Sequence, residues 1–139
     1  ARDGSFLWTI DAKGSTGWAG IDLDGGRPTT DPARADLLAR RYVLRAPGGA
    51  LDLGVVSLAD AQVRPGAVWV RDAVVDGVRR NPALAGWFTY SRLTHVVRTV
   101  GHTFAVRRRP GGAIGYFRVE GYYCVPEGSG CLTVRYRLE

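Results

Sequence analysis

The chain has 139 residues, enough for one domain with a hydrophobic core and few for two. Its apolar fraction of 45% is ordinary for a globular protein, and no run of about 20 apolar residues offers a membrane-spanning helix. The net charge of +6 comes from 18 arginines and Lys13 against 13 acids; the basic residues are spread out, with Arg107, Arg108 and Arg109 the one run of three, which reads as a solvated basic face and argues against a nucleic-acid partner.

The chain starts at Ala1 with neither an apolar leader nor an amino-terminal cysteine, so it reads as a mature or trimmed form. "FLWTI" alternates, with Phe6, Trp8 and Ile10 on one face. "DPARADLLARRY" opens on Asp-Pro, a helix-start signal, but runs into alternation. In "LLARRYVLR", Leu38, Tyr42 and Leu44 share a face that Arg40 interrupts. "AVWV", residues 67–70, is a short apolar run of strand type. "VVDGVRRNPALAGW" has room for a turn or two of helix, cut by Pro82 and Gly86. "TFAVR" puts Phe104 and Val106 together. "LTVRYRL" is the clearest half-buried strand, with Leu132, Val134, Tyr136 and Leu138 on one side and Thr133, Arg135 and Arg137 on the other. It is predicted to pair antiparallel with "YFRVEGYY", because a one-residue slip would bury two arginines. The turn signals "DLDGG", "APGG", "RPGA", "RRPGG" and "PEGSG" separate these runs at short, fairly regular spacing. The predicted fold is all-β: one domain over 1–139, a mostly antiparallel curved sheet or sandwich with little helix.

The two cysteines, Cys124 and Cys131, flank "VPEGSG". Their spacing fits no zinc pair. A hairpin loop stapled by a disulfide is the favoured reading, worth on the order of 2–3 kcal/mol by loop closure. It implies an oxidising, extracytoplasmic setting; two reduced, buried thiols are the alternative.

Catalytic signatures are lacking: there is no phosphate-cradling loop, nucleophile elbow or HExxH, which points to a binding protein and not an enzyme. The two histidines are His95 and His102, with Gly101 breaking the strand between them. Either suits a metal or a haem iron, and either equally suits a backbone hydrogen bond at a strand end. "GWFTYS" and "GYFRVEGYY" concentrate aromatics, among them Trp87, Phe88, Tyr90, Tyr116, Tyr122 and Tyr123. They could wall a flat ligand or fill a core. Arg92, Arg98 or Arg118 beside such a wall would pair with carboxylates.

In order and spacing these segments resemble the HmuY-like family of bacterial haem-binding surface proteins. Trp87 to Tyr90 match its W-x-x-Y stretch, and Thr94 and His95 its following T-H. "TFAVRRR" matches a strand of the Y-x-I-R-T kind, Gly111 and Gly112 a turn, and Tyr122 and Tyr123 a tyrosine pair. Gly130 to Tyr136 match the last strand, G-x-[LI]-T-[FV]-x-Y. Earlier, "WAGIDLDGG" resembles W-x-x-F-D-L-x-x-G, and "ADLLARRY" resembles W-D-[LM]-A-x-x-R-Y with Ala35 in place of the tryptophan.

The resemblance implies an all-β fold, an exported and often lipid-anchored protein whose anchor would precede this chain, and haem capture. Haem-binding members use paired histidines or paired methionines as axial ligands. This chain has no methionine, and Arg92 stands where one member carries a ligand histidine. The segment between Val68 and Gly86, which supplies the other ligand in that member, reads as shortened. Haem, if bound, is expected to meet His95 or His102, with Tyr90 as the remaining strong donor and Arg92 nearby. The alternative is a haem-free surface, adhesive or assembly protein on the same fold.

Overall fold

The computed structural model describes residues 5–14, 17–23, 26–29, 31, 33–108 and 113–139. Its strands are β1 (Phe6–Asp11), β2 (Ala19–Asp22), β3 (Arg27–Thr29), β4 (Leu37–Arg40), β5 (Val43–Arg45), β6 (Ala50–Asp52), β7 (Ala73–Val75), β8 (Val78–Arg80), β9 (Phe88–Tyr90), β10 (Val97–Thr99), β11 (Thr103–Arg107), β12 (Ile114–Tyr123) and β13 (Ser129–Leu138). A 3-10 helix, Pro82–Trp87, lies between β8 and β9. A five-stranded sheet runs β1-β13-β12-β11-β6, a four-stranded sheet runs β3-β2-β4-β5, and two hairpins, β7–β8 and β9–β10, flank them. All these pairings are antiparallel, and the fold is all-β.

The predicted pairing of the last two strands is present. Phe117 lies opposite Tyr136 and Val119 opposite Val134. Val134 and Tyr136 point into the core, while Arg135 and Arg137 take the other face. The period of two decides this, since each apolar residue of β13 sits one pleat from a polar one. The core draws on both larger sheets: Ile21, Leu37 and Leu44 meet Phe104, Phe117 and Leu132. On the opposite face of the five-stranded sheet, Tyr116 and Ala105 are covered by Leu58 and Ala61 from the connection after β6. Arg137 is therefore partly buried. Its Nε donates to the Leu58 carbonyl at 3.0 Å and its Nη2 to the Ala61 carbonyl at 2.8 Å.

Four local expectations are corrected. "LLARRYVLR" is not one strand: Arg41 takes a left-handed φ of 55°, and the chain turns there, with Arg40 pairing Val43 across the turn. Tyr42 is thus half exposed on the turn and shares no face with Leu44. The helix-start signal at Asp31 leads only into a turn at Ala33–Arg34 before β4; Pro32 lies outside the described residues. "AVWV" forms no strand. Val70 makes a lone bridge to Ala50, and Val68 is exposed because Ala67 closes a turn onto Arg64. Pro82 does not cut a helix but starts one. The Asn81 side chain accepts from the Ala83 N–H, and proline at the first helical position has no N–H to leave unpaired. Just upstream, Asp76 and Gly77 both have positive φ, the backbone of a tight hairpin turn joining β7 to β8.

The basic run is also partly absorbed into the structure. Arg107 donates to the Gly48 carbonyl and lies over Trp69, and Arg108 pairs with buried Asp36. Arg109 and most of the "RRPGG" turn, with Gly111 and Gly112, fall outside the described residues, as do Asp24 and Gly25 of "DLDGG". No helix among the described residues is long and apolar enough to cross a membrane.

Candidate functional site

A groove of about 610 Å³ opens where the β9–β10 hairpin meets the turn end of the β12–β13 hairpin. The two are tied by the Val97 N–H, which donates to the Tyr123 hydroxyl at 2.7 Å. Three local devices shape it. The first is a register shift in β12 around Gly121. Strict alternation from inward-facing Val119 would send Tyr122 outward. The bulge reverses the phase, so that Tyr122 is buried and Tyr123 turns out into the groove. Burial pushes the Tyr122 phenol above its ordinary value; Arg41 opposes this and Tyr42 and Tyr123 add to it, so Tyr122 stays a neutral donor at neutral pH.

The second device is the β4–β5 turn, which presents Arg41 and Tyr42. The Arg41 N–H donates to the Ala12 carbonyl at 2.6 Å, and its Nη2 donates to Ser129 Oγ at 2.8 Å. Trp87 Nε1 donates to the Tyr42 carbonyl at 3.0 Å, which fixes Tyr42 against Phe88 at 5.4 Å between ring centres. The third is the loop between β9 and β10. His95 has a φ of 57°, and its N–H donates to the Ser91 carbonyl at 2.7 Å. This folds the imidazole back so that Nδ1 lies 2.7 Å from the Tyr90 hydroxyl.

Non-glycine residues with φ in the left-handed region cost of the order of 1–3 kcal/mol where the surroundings hold them there. Among the described residues three do so, and two of them, Arg41 and His95, line this groove. The third, Asp76, serves an ordinary hairpin turn.

The disulfide joins the groove to the end of the sheet. Cys124 and Cys131 are bonded, as the loop composition suggested. Tyr123 lies just before the stapled loop and Ser129 within it, and both line the groove. Gly130 has a φ of 93°, and a Cβ there would meet the Lys13 backbone at 3.0 Å, so this close turn requires glycine. Replacing both cysteines with serine is expected to lower stability by about 2.5 kcal/mol, the loop-closure term for so short a ring. Urea denaturation of the two proteins checks it; an unchanged midpoint would show that the loop is held by its other contacts.

The structure brings Tyr90 and His95 together on one wall. It does not bring His102 there: His102 Nδ1 lies 3.0 Å from both carboxylate oxygens of Asp52, on the connection after β10. Arg92 is exposed on the β9–β10 loop and does not line the groove, nor do Arg98 and Arg118. The aromatic residues divide between the two roles foreseen for them. Trp87, Tyr116 and Phe117 are core, while Phe88, Tyr90 and Tyr123 face the groove and Tyr122 serves both. Sequence reasoning missed Arg41, Tyr42 and Ser129. The available signal was the Arg-Tyr pair closing "ADLLARRY".

Solved structures of other proteins share this architecture. The apo HmuY analogue of Tannerella forsythia superposes with a TM-score of 0.80 at 14% identity, over 97% of this chain and 95% of that one. The fold is that of the HmuY-like proteins. A candidate HmuY-like haem-binding protein of Bacteroides vulgatus gives 0.77 at 18% identity, over 97% and 92%. A candidate lipoprotein of Bacteroides fragilis gives 0.79 at 20% identity, over 96% and 90%. No protein-family model matches the chain, and no curated protein matches it by sequence. At these identities the likeness is one of HmuY-like fold.

Proposed function

We propose that the chain is an extracytoplasmic binding module, not an enzyme, whose groove takes a flat tetrapyrrole of the haem type. The observation that carries this is the Tyr90–His95 pair on the wall of an aromatic groove within the HmuY-like fold. The groove's volume lies inside the roughly 300–1,000 Å³ of small-molecule sites. Phe88, Tyr42 and Tyr123 offer ring faces and edges to a planar ligand. A single imidazole is too little for a bare metal centre, which takes four or more ligands. It suits a metal whose remaining ligands come from its own ring, with the Tyr90 phenol orienting the imidazole. The disulfide supports a location outside the reducing cytosol, and the description of the Bacteroides fragilis neighbour as a candidate lipoprotein supports surface attachment through a lipid.

Hemin titrated into the purified protein is expected to give a saturable, red-shifted Soret band. Absence of any saturable change would reject the tetrapyrrole reading. Weight would then pass to a haem-free surface or assembly role, for which edge strand β1, with Phe6 and Leu7 half exposed, is the supporting observation.

A further inference from the structure

We propose that the groove recognises carboxylates at the rim of its ligand through two arginines, Arg41 and Arg80, set on either side of Tyr42. The inference rests on the tetrapyrrole reading of the same site and specifies the ligand as a flat aromatic acid.

A second cleft of about 60 Å³ adjoins the groove, sharing Tyr42 and Phe88 with it, and Arg80 lines that cleft. The Nε of Arg80 is buried and has no hydrogen-bond partner. Buried donors in native proteins are nearly always paired, so the Arg80 guanidinium beside this cleft is short of an acceptor. Asp72, which touches the neighbouring Asn81, does not fill this role. It accepts from Arg45 Nε at 3.2 Å, from the Ala46 N–H at 2.9 Å and from Asn81 Nδ2 at 3.1 Å. Arg41 is held by a neutral partner, Ser129, and forms no ion pair among the described residues. Its other N–H groups remain for a ligand.

Among the described residues no carboxylate lines either the groove or the cleft. A bound molecule therefore meets two fixed positive charges and no negative one, beside apolar rings that exclude water and strengthen the attraction. Guanidinium groups match carboxylates with paired N–H donors, and a ring lying along Tyr42 and Phe88 would carry its acid groups toward them. Both arginines are also sited by the backbone. Arg41 occupies the strained turn, and Arg80 ends β8 directly before Asn81, whose N–H is fixed to the Leu44 carbonyl at 2.9 Å.

The test compares protoporphyrin IX with its dimethyl ester, which has the same ring without the charges. Quenching of tryptophan fluorescence reports binding, since Trp87 packs on Phe88 and Tyr122. The wild type is expected to bind the diacid about tenfold more tightly than the ester. Arg41→Gln and Arg80→Gln should each weaken the diacid several-fold and leave the ester unchanged, and the double variant should show no preference. Equal, saturable affinity of the wild type for acid and ester would overturn the arginine proposal and leave the tetrapyrrole reading standing. So would variants that weaken both ligands alike, which would show a packing role. No saturable quenching by either porphyrin would reject the tetrapyrrole reading itself and this proposal with it.

Discussion

His95→Ala is expected to abolish the red-shifted Soret band of the hemin complex, and His102→Ala to leave it unchanged. His95 lines the groove and His102 does not. For His95 the Tyr90 hydroxyl settles which nitrogen is free. A metal on Nε2 requires the proton on Nδ1, and Nδ1–H then donates to the Tyr90 oxygen 2.7 Å away. With a haem iron held there, the phenol would act as an outer partner that orients the ring and raises its basicity. Removal of such partners typically costs 10–100-fold in metal affinity. Tyr90→Phe should therefore weaken hemin by about tenfold while keeping a histidine-type spectrum, and His95→Ala should cost more and change the spectrum. Identical spectra and affinities across wild type, His95→Ala and Tyr90→Phe would remove both residues from the site.

The Tyr90–His95 pair was partly legible in the sequence because both residues sit in one short hairpin, five positions apart. Their chemistry also stood out in a chain with two histidines. The rest of the groove was not legible, because its parts come from distant segments. Arg41 and Ser129 are 88 residues apart, and only the closed sheet brings them within a hydrogen bond. Local rules also pointed away from the turn that carries Arg41. A left-handed φ is usually signalled by glycine, and here it falls on an arginine inside an apolar run. The same loss of signal explains Tyr123. Period two assigns its face wrongly until the bulge near Gly121 is known, and a bulge leaves no reliable mark in a single sequence. Strand pairing was easier, since burial of one sheet face writes itself directly as alternation.

Val134→Asp is expected to unfold the protein, whereas Arg135→Gln should cost less than about 1 kcal/mol. Val134 is fully buried among residues of both larger sheets, opposite Val119. A carboxylate there would be stripped of water with no cation provided, a penalty of at least about 4–5 kcal/mol against a total stability of roughly 5–15. Arg135 is one residue along and faces the other way. Its ion pair with Glu120, at 3.6 Å, is partly exposed and screened, so its loss is small. Alternation alone would rank Arg137 with Arg135, but the structure separates them. Arg137 satisfies the carbonyls of Leu58 and Ala61 and stacks 4.5 Å from the centre of the Tyr116 ring, so it holds the connection after β6 against the sheet. Arg137→Ala should cost roughly 2–3 kcal/mol, because two carbonyl acceptors lose a charged donor at once. Thermal and urea unfolding of the three variants reads the order directly. The ranking Val134→Asp, then Arg137→Ala, then Arg135→Gln follows from the faces assigned to β13, and an Arg135 variant as damaging as the Arg137 variant would show that the outer face is covered along its whole length.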